Sequence, residues 1–140
     1  MPDFHNERIL EASPAEVFAA HRDPLRLARW WGPSGFTNTF TRFEFAPGGA
    51  WSFVMHGPDG KDYPNESVFA EIEENARISI DHICEPRFVL DIHLHPHGTG
   101  TRVVWLADFE NKTFAKSMED FLHAANEQNL DRLAVELAIR

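Results

Sequence analysis

Two amides, one histidine and one carboxylate are the groups in this sequence best placed to do chemistry. Asn126 and Asn129 stand in a stretch from about Phe114 to Ala138 that holds no Gly and no Pro. At about 3.6 residues per turn, Phe114, Met118, Phe121, Leu122, Ala125 and Leu133 fall on one face. Asn129 sits near the middle of that stripe and Asn126 toward its edge. A carboxamide inside an apolar stripe must find a partner or water. The two amides therefore either tie the helix to backbone or hydrogen-bond a bound molecule. Glu127 and Asp131 fall on the opposite, solvated side. His82 follows Ile78 and Ile80 at a period of two, which places it with Cys84 on an inward strand face. An inward imidazole works as an acid or base, or is a satisfied core residue. Glu66 lies where the alternation is irregular; facing His82 across a pocket, it would complete an acid–base pair.

Other groupings carry less. His93, His95 and His97 have metal-ligand chemistry, since imidazole binds zinc or nickel and alternate strand residues share a face. That face is the one opposite Phe88, Leu90, Ile92 and Leu94, and Pro96 breaks the strand, so a solvated edge is expected and no metal site. Cys84 is the single cysteine and forms no internal disulfide. With no nearby histidine or basic cluster in view, it reads as a buried, inert thiol. Trp30 and Trp31 either flank a pocket mouth or plug the end of a sheet before Gly32-Pro33 turns the chain. The Gly-rich stretches are hairpin turns rather than phosphate loops, and no nucleophile elbow is present. No cofactor motif is found.

The elements that must position these groups can be read in order. A first strand spans about Glu7–Ala12. Ser13-Pro14-Ala15-Glu16 is a capping box with proline at the first helical position. A short helix follows to about His21, and Asp23-Pro24 opens a second through Arg29. From Phe36 to Phe109, turn signals recur at hairpin spacing, at Pro47-Gly48-Gly49, Gly57-Pro58-Asp59-Gly60, Glu74-Asn75-Ala76, Glu85-Pro86 and His97-Gly98-Thr99-Gly100. They divide about six antiparallel strands. Trp51, Phe53 and Met55 share one face, as do Val103, Trp105, Ala107 and Phe109; Val104 and Leu106 make the outer face of the last strand unusually apolar. A bulge is expected between Tyr63 and Ile72. The result is an α+β domain over residues 1–140, with a curved sheet of about seven strands, two short helices after the first strand, and one long C-terminal helix of ~37 Å across the concave face.

Composition bounds the partners. The net charge is −9 and 43% of the residues are hydrophobic, with 12 Phe, 4 Trp and 1 Tyr. Nucleic acid and anionic membrane both call for a basic face, so neither is expected. No apolar run approaches the ~18 residues of a membrane span. The N-terminus resembles neither a signal nor a transit peptide, and an unpaired cysteine suits a reducing compartment, so a cytoplasmic location is expected.

Several motifs then point to one family. They are Ala15-Glu16-Val17-Phe18, Trp30-Trp31-Gly32-Pro33, Pro47-Gly48-Gly49-Ala50-Trp51, Gly57-Pro58-Asp59-Gly60, Glu71-Ile72, Asp81-His82-Ile83, Gly100-Thr101-Arg102 and the run from Asn126 to Leu133. In order along the chain, they resemble the family named for the C-terminal domain of the activator of the ninety-kilodalton heat-shock protein's ATPase. That family is a branch of the START-like (SRPBCC) superfamily, which includes birch pollen allergens and polyketide cyclases. The resemblance implies the helix-grip fold. The N-terminal residues read as the first strand, so the extra N-terminal domain of the cochaperone that names the family is not expected. A small hydrophobic or aromatic ligand is expected between sheet and helix, contacted by Trp30, Trp31, Phe53, Met55, Glu66, His82, Trp105, Leu122, Ala125, Asn126 and Asn129. The alternatives are a cyclase or dehydratase using His82 with a carboxylate, and a chaperone-linked or homodimeric interaction module using the outward Val104, Leu106 and Val54.

Overall fold

Alternation at the N-terminus builds the first strand. In the computed structural model, which describes residues 2–139, β1 (Phe4–Leu10) turns Phe4, Asn6 and Leu10 inward. It starts three residues before the expected Glu7. The capping box forms as read: Glu16 N–H donates to Ser13 Oγ at 3.2 Å, and Ser13 N–H donates to the Glu16 carboxylate at 3.1 Å. It opens α1 (Pro14–Arg22). Asp23 ends α1 and caps α2 (Pro24–Trp30), accepting from Leu25 N–H at 3.0 Å.

Six strands follow as a meander: β2 (Thr37–Phe43), β3 (Ala50–His56), β4 (Asp62–Glu73), β5 (Arg77–His82), β6 (Phe88–His97) and β7 (Gly100–Phe109). β1 adds beside β7, so the antiparallel order is β1-β7-β6-β5-β4-β3-β2. The expected bulge falls between Phe69 and Glu71. A second, between Phe40 and Arg42, left no sequence signal. Bulges bend and twist the strands that carry them, which helps the sheet to curl. Val104 faces outward but is only 7% exposed, between Glu7 and His93 on the neighbouring strands, so the expected outer apolar patch is smaller than the sequence suggested.

The long C-terminal helix is two helices. α3 (Lys112–Ser117) and α4 (Glu119–Ala138) meet at Met118, which has φ −108° and ψ 12°. Neither Gly nor Pro causes the break. Ser117 Oγ donates to the Phe114 carbonyl at 2.8 Å, and Met118 N–H reaches that same carbonyl at 3.1 Å. Such back-bonding by a serine hydroxyl competes with the helical ladder and bends it. No helix among the described residues is long and apolar enough to cross a membrane.

α4 is attached unevenly. In its C-terminal half Asn129, Leu130, Leu133 and Glu136 are buried; in its first two turns no residue is, and Phe121 is 64% exposed. The stripe read from periodicity is thus a packed seam only toward its end. Glu127 and Asp131, expected in solvent, both meet Arg8 of β1, at 3.2 and 2.7 Å. Glu136 is 3% exposed and accepts from Arg29 and Arg26 of α2 at 2.7 and 3.0 Å.

Two predictions follow from these buried groups. The Arg29 and Arg26 guanidinium groups hold the Glu136 carboxyl below its usual range, so its contribution is present above the ordinary value of 4.5 and lost as pH falls through the lowered one. Glu136→Gln should cost about 1–3 kcal/mol at neutral pH. Urea titrations should show the gap to the parent closing in acid. His21 is enclosed against Trp30, and burial pulls its imidazole from 6.5 down to about 4. The unfolded chain takes the proton first, so stability falls by up to about 1.4 kcal/mol per pH unit as pH drops from 6.5 toward 4. His21→Leu should flatten that slope.

Candidate functional site

Because the first turns of α4 stand off the sheet, a space remains beneath them. A cavity of about 560 Å³ lies between the inner sheet face, α3, the start of α4 and the loop after α2. Inward residues of β3 to β7 line it: Trp51, Phe53 and Met55, Asn65 and Ser67, Ile80 and His82, Phe88 and Leu90, and Trp105, Ala107 and Phe109. Phe114, Phe121, Leu122, Ala125, Asn126 and Asn129 roof it; Asp62, Tyr63, Pro64, Glu85 and Pro86 lie in its outer part.

The two adjacent tryptophans divide the labour. Trp30 is 1% exposed, donates from Nε1 to Ala20 O at 3.1 Å and does not line the cavity. Sequence reasoning placed it at the site; the structure places it in the core. Trp31 reaches the cavity and sits 5.1 Å from Trp51 and 5.6 Å from Trp105, ring centre to ring centre. The indole N–H groups of Trp51 and Trp105 are shut from solvent and meet no acceptor among the described residues.

The wall carrying Trp31 is held from α4. Arg132 Nη1 donates to the carbonyls of Trp31, Gly32 and Pro33, each at 3.0 Å, and Nη2 to those of Arg29 and Phe36 at 2.7 and 2.9 Å. Asn129 Nδ2 donates to Trp30 O at 2.8 Å, and Ser34 N–H donates to Gln128 Oε1 at 3.1 Å. Burial without an acid partner lowers the Arg132 pKa. Gly32 makes the turn possible: its φ is +97°, and a Cβ there would lie 2.7 Å from the Met55 methyl.

Both amides prove to be ties and linings at once. Asn126 Nδ2 donates to Asn6 Oδ1 at 3.2 Å; Asn6 is itself oriented by donating to Glu127 at 2.8 Å. These bonds use the nitrogens. The Oδ1 atoms of Asn126 and Asn129 accept no hydrogen bond among the described residues, and both side chains line the cavity.

His82 is 7% exposed with both ring nitrogens engaged. Nδ1 lies 2.8 Å from Pro86 O, and Nε2 lies 2.7 Å from Asn65 Oδ1. Burial lowers its pKa, opposed by the Pro86 carbonyl. Glu66 does not face His82. Period two, counted back from Phe69, sends Ser67 and Asn65 inward and Glu66 outward, where it accepts from Ser52 Oγ. The bulge beyond Phe69 had obscured that count, and with it the lining role of Asn65 and Ser67. Cys84 is half-buried rather than buried, and a histidine does stand near it: its Sγ lies 3.5 Å from His82 Nε2 and accepts Glu66 N–H at 3.4 Å. His93 and His95 stack with ring centres 6.0 Å apart on the outer face, and the described residues contain no group of metal-ligating side chains.

A curled antiparallel sheet closed over a long C-terminal helix, with two short helices after the first strand, is the helix-grip architecture of START-like proteins. The chain belongs to the family described as Activator of Hsp90 ATPase homolog 1-like protein, whose model matches residues 11–138. Among solved structures it is similar to a protein from Arthrobacter aurescens, with 24% identity, a TM-score of 0.89 and 98% and 86% of the two chains covered. It is also similar to protein NE0264 of Nitrosomonas europaea, with 23% identity, a TM-score of 0.88 and coverage of 96% and 92%. The AHSA1-like protein of Aeromonas hydrophila matches with 21% identity, a TM-score of 0.78 and coverage of 98% and 96%. At these identities the likeness establishes the fold. No curated protein matches the chain.

Arg132 gives this wall its test. Arg132→Gln should lower stability by about 2 kcal/mol or more, since hydrogen bonds from a charged donor are lost. Hydrogen exchange should show Phe36, whose N–H donates to Pro33 O at 3.2 Å, losing more protection than the amides of β6 and β7.

Proposed function

We propose that this protein binds a small apolar or aromatic molecule in the cavity beneath α4. The observation that carries the reading is the composition of that wall. Tryptophan, phenylalanine, leucine, isoleucine and methionine side chains dominate it, and a few convergent polar groups interrupt it. A space of about 560 Å³ lies within the range of small-molecule sites. Burial of apolar ligand surface supplies the affinity, at about 25 cal/mol per Å², and the Asn126, Asn129 and Ser67 side chains supply orientation.

The geometry favours a container over an enzyme. An acid–base mechanism asks for a titratable group with a free atom facing the substrate. Both His82 nitrogens already lie against protein groups, Nδ1 at the Pro86 carbonyl and Nε2 at the Asn65 amide, and Glu66, a carboxylate considered as its partner, lies on the other face of the sheet.

Ala125 offers the cleanest test, because it lines the cavity and makes no side-chain hydrogen bond. The uncharged dye Nile red should bind the parent protein at one site with a blue shift. Ala125→Trp, which places an indole in the cavity, should weaken it by about tenfold or more, with circular dichroism unchanged. Equal binding by the folded variant would place the dye elsewhere and remove this reading.

A further inference from the structure

The charge of the cavity wall is one-sided. Among the described residues no lysine or arginine lines it; its charged side chains are Asp62 and Glu85, alongside the imidazole of His82. Among the described residues the Asp62 carboxylate meets only His56, at 2.7 Å, and its side chain is 65% exposed. Glu85 is exposed and meets no cation among the described residues. The half-buried Arg132 lies beside Gly32 with its N–H groups directed at five backbone carbonyls. Across the whole chain the net charge is −9. An anionic ligand would pass two carboxylates at the mouth, then lose its hydration with no cation to receive it.

The amides that line the cavity present acceptors to it, while the unpartnered indole N–H groups of Trp51 and Trp105 are shut from solvent. Asn129 gives its nitrogen to Trp30 O, and Asn126 gives its own to Asn6, so each presents an unpaired carbonyl oxygen. Ser67 is 3% exposed, lines the cavity, and has no hydrogen-bond partner among the described residues. The two free carbonyl oxygens call for a ligand that brings a donor, and the Ser67 hydroxyl can serve such a ligand as donor or acceptor. The indole and phenyl faces around them attract cations and repel anions.

We infer that the cavity selects uncharged or cationic aromatic molecules carrying a hydroxyl or amine donor, and excludes carboxylates of the same shape. The inference rests on the container reading above and narrows it to a chemical class.

Tryptophol, tryptamine and indoleacetate share one aromatic frame and differ in the charge of the side arm. Each should be titrated against Nile red on the parent protein at moderate salt. Tryptophol and tryptamine should displace the dye at least about tenfold more effectively than indoleacetate, and the methyl ether of tryptophol about fivefold less effectively than tryptophol. The double variant Asp62→Asn/Glu85→Gln should narrow the ratio between tryptamine and indoleacetate, as should high salt. Indoleacetate binding as tightly as tryptamine, while Ala125→Trp still abolishes both, would overturn the charge selection and leave the container standing. An ether equal to tryptophol would overturn the donor requirement. Failure of the dye and all three indoles to bind would remove both readings together.

Discussion

The uneven attachment of α4 is the constraint on which the rest of the molecule depends. Its last turns are fixed by polar ties rather than by apolar area alone. Glu136 lies between two arginines of α2, Asn129 holds the Trp30 carbonyl, and Arg132 gathers the carbonyls with which α2 ends. A helix terminus leaves its final carbonyls without intrahelical partners, and a cation there meets the negative end of the dipole. Arg132 therefore acts as a cap supplied from another helix. Because this end is fixed, the other end can bridge open space without collapsing onto the sheet.

That bridging defines the cavity. The first half of α4 presents Leu122, Ala125 and Asn126 to the interior, with Asn129 at the start of its packed half, while the sheet below presents a continuous aromatic surface. Trp31 links roof and floor. It belongs to the loop that Arg132 holds, yet its ring rests between Trp51 and Trp105. The same polar ties thus set both the height of the roof and the position of one wall. Stability and pocket shape share residues here, and a change in the anchor reaches the lining without touching it.

Much of this was legible in the sequence, and the failures have physical causes. Strand alternation placed Phe88, Leu90, Ile92 and Leu94, the run from Val103 to Phe109, and the inward His82, because a period of two survives wherever no bulge intervenes. The capping box and the Asp23-Pro24 start were local signals and formed locally. Glu66 went astray because one bulge shifts every side chain before it to the other face. The split at Met118 was hidden because neither Gly nor Pro marks it; there a serine hydroxyl shares the Phe114 carbonyl with the backbone. Glu136 and Arg132 carried no sequence signal of a structural role. Their partners lie about a hundred residues away, and no periodicity reports a long-range tie. The amides stood out as polar groups on an apolar stripe; their nitrogens serve the fold and their oxygens remain open.

The pairing of β1 with β7 also sets an order of events during synthesis. Phe4 is the register partner of Ala107, so the first strand emerges from the ribosome with its neighbour still unmade. The hairpins from β2 to β7 close by short loops and can zip successively, whereas β1 must wait through most of translation. α4 appears later still, and Asn6 and Arg8 of that waiting strand are among the groups it engages. The chamber is therefore the last part of the molecule to exist. Until then its aromatic floor lies open to water, and a nascent chain in that state is where aggregation or chaperone capture would act.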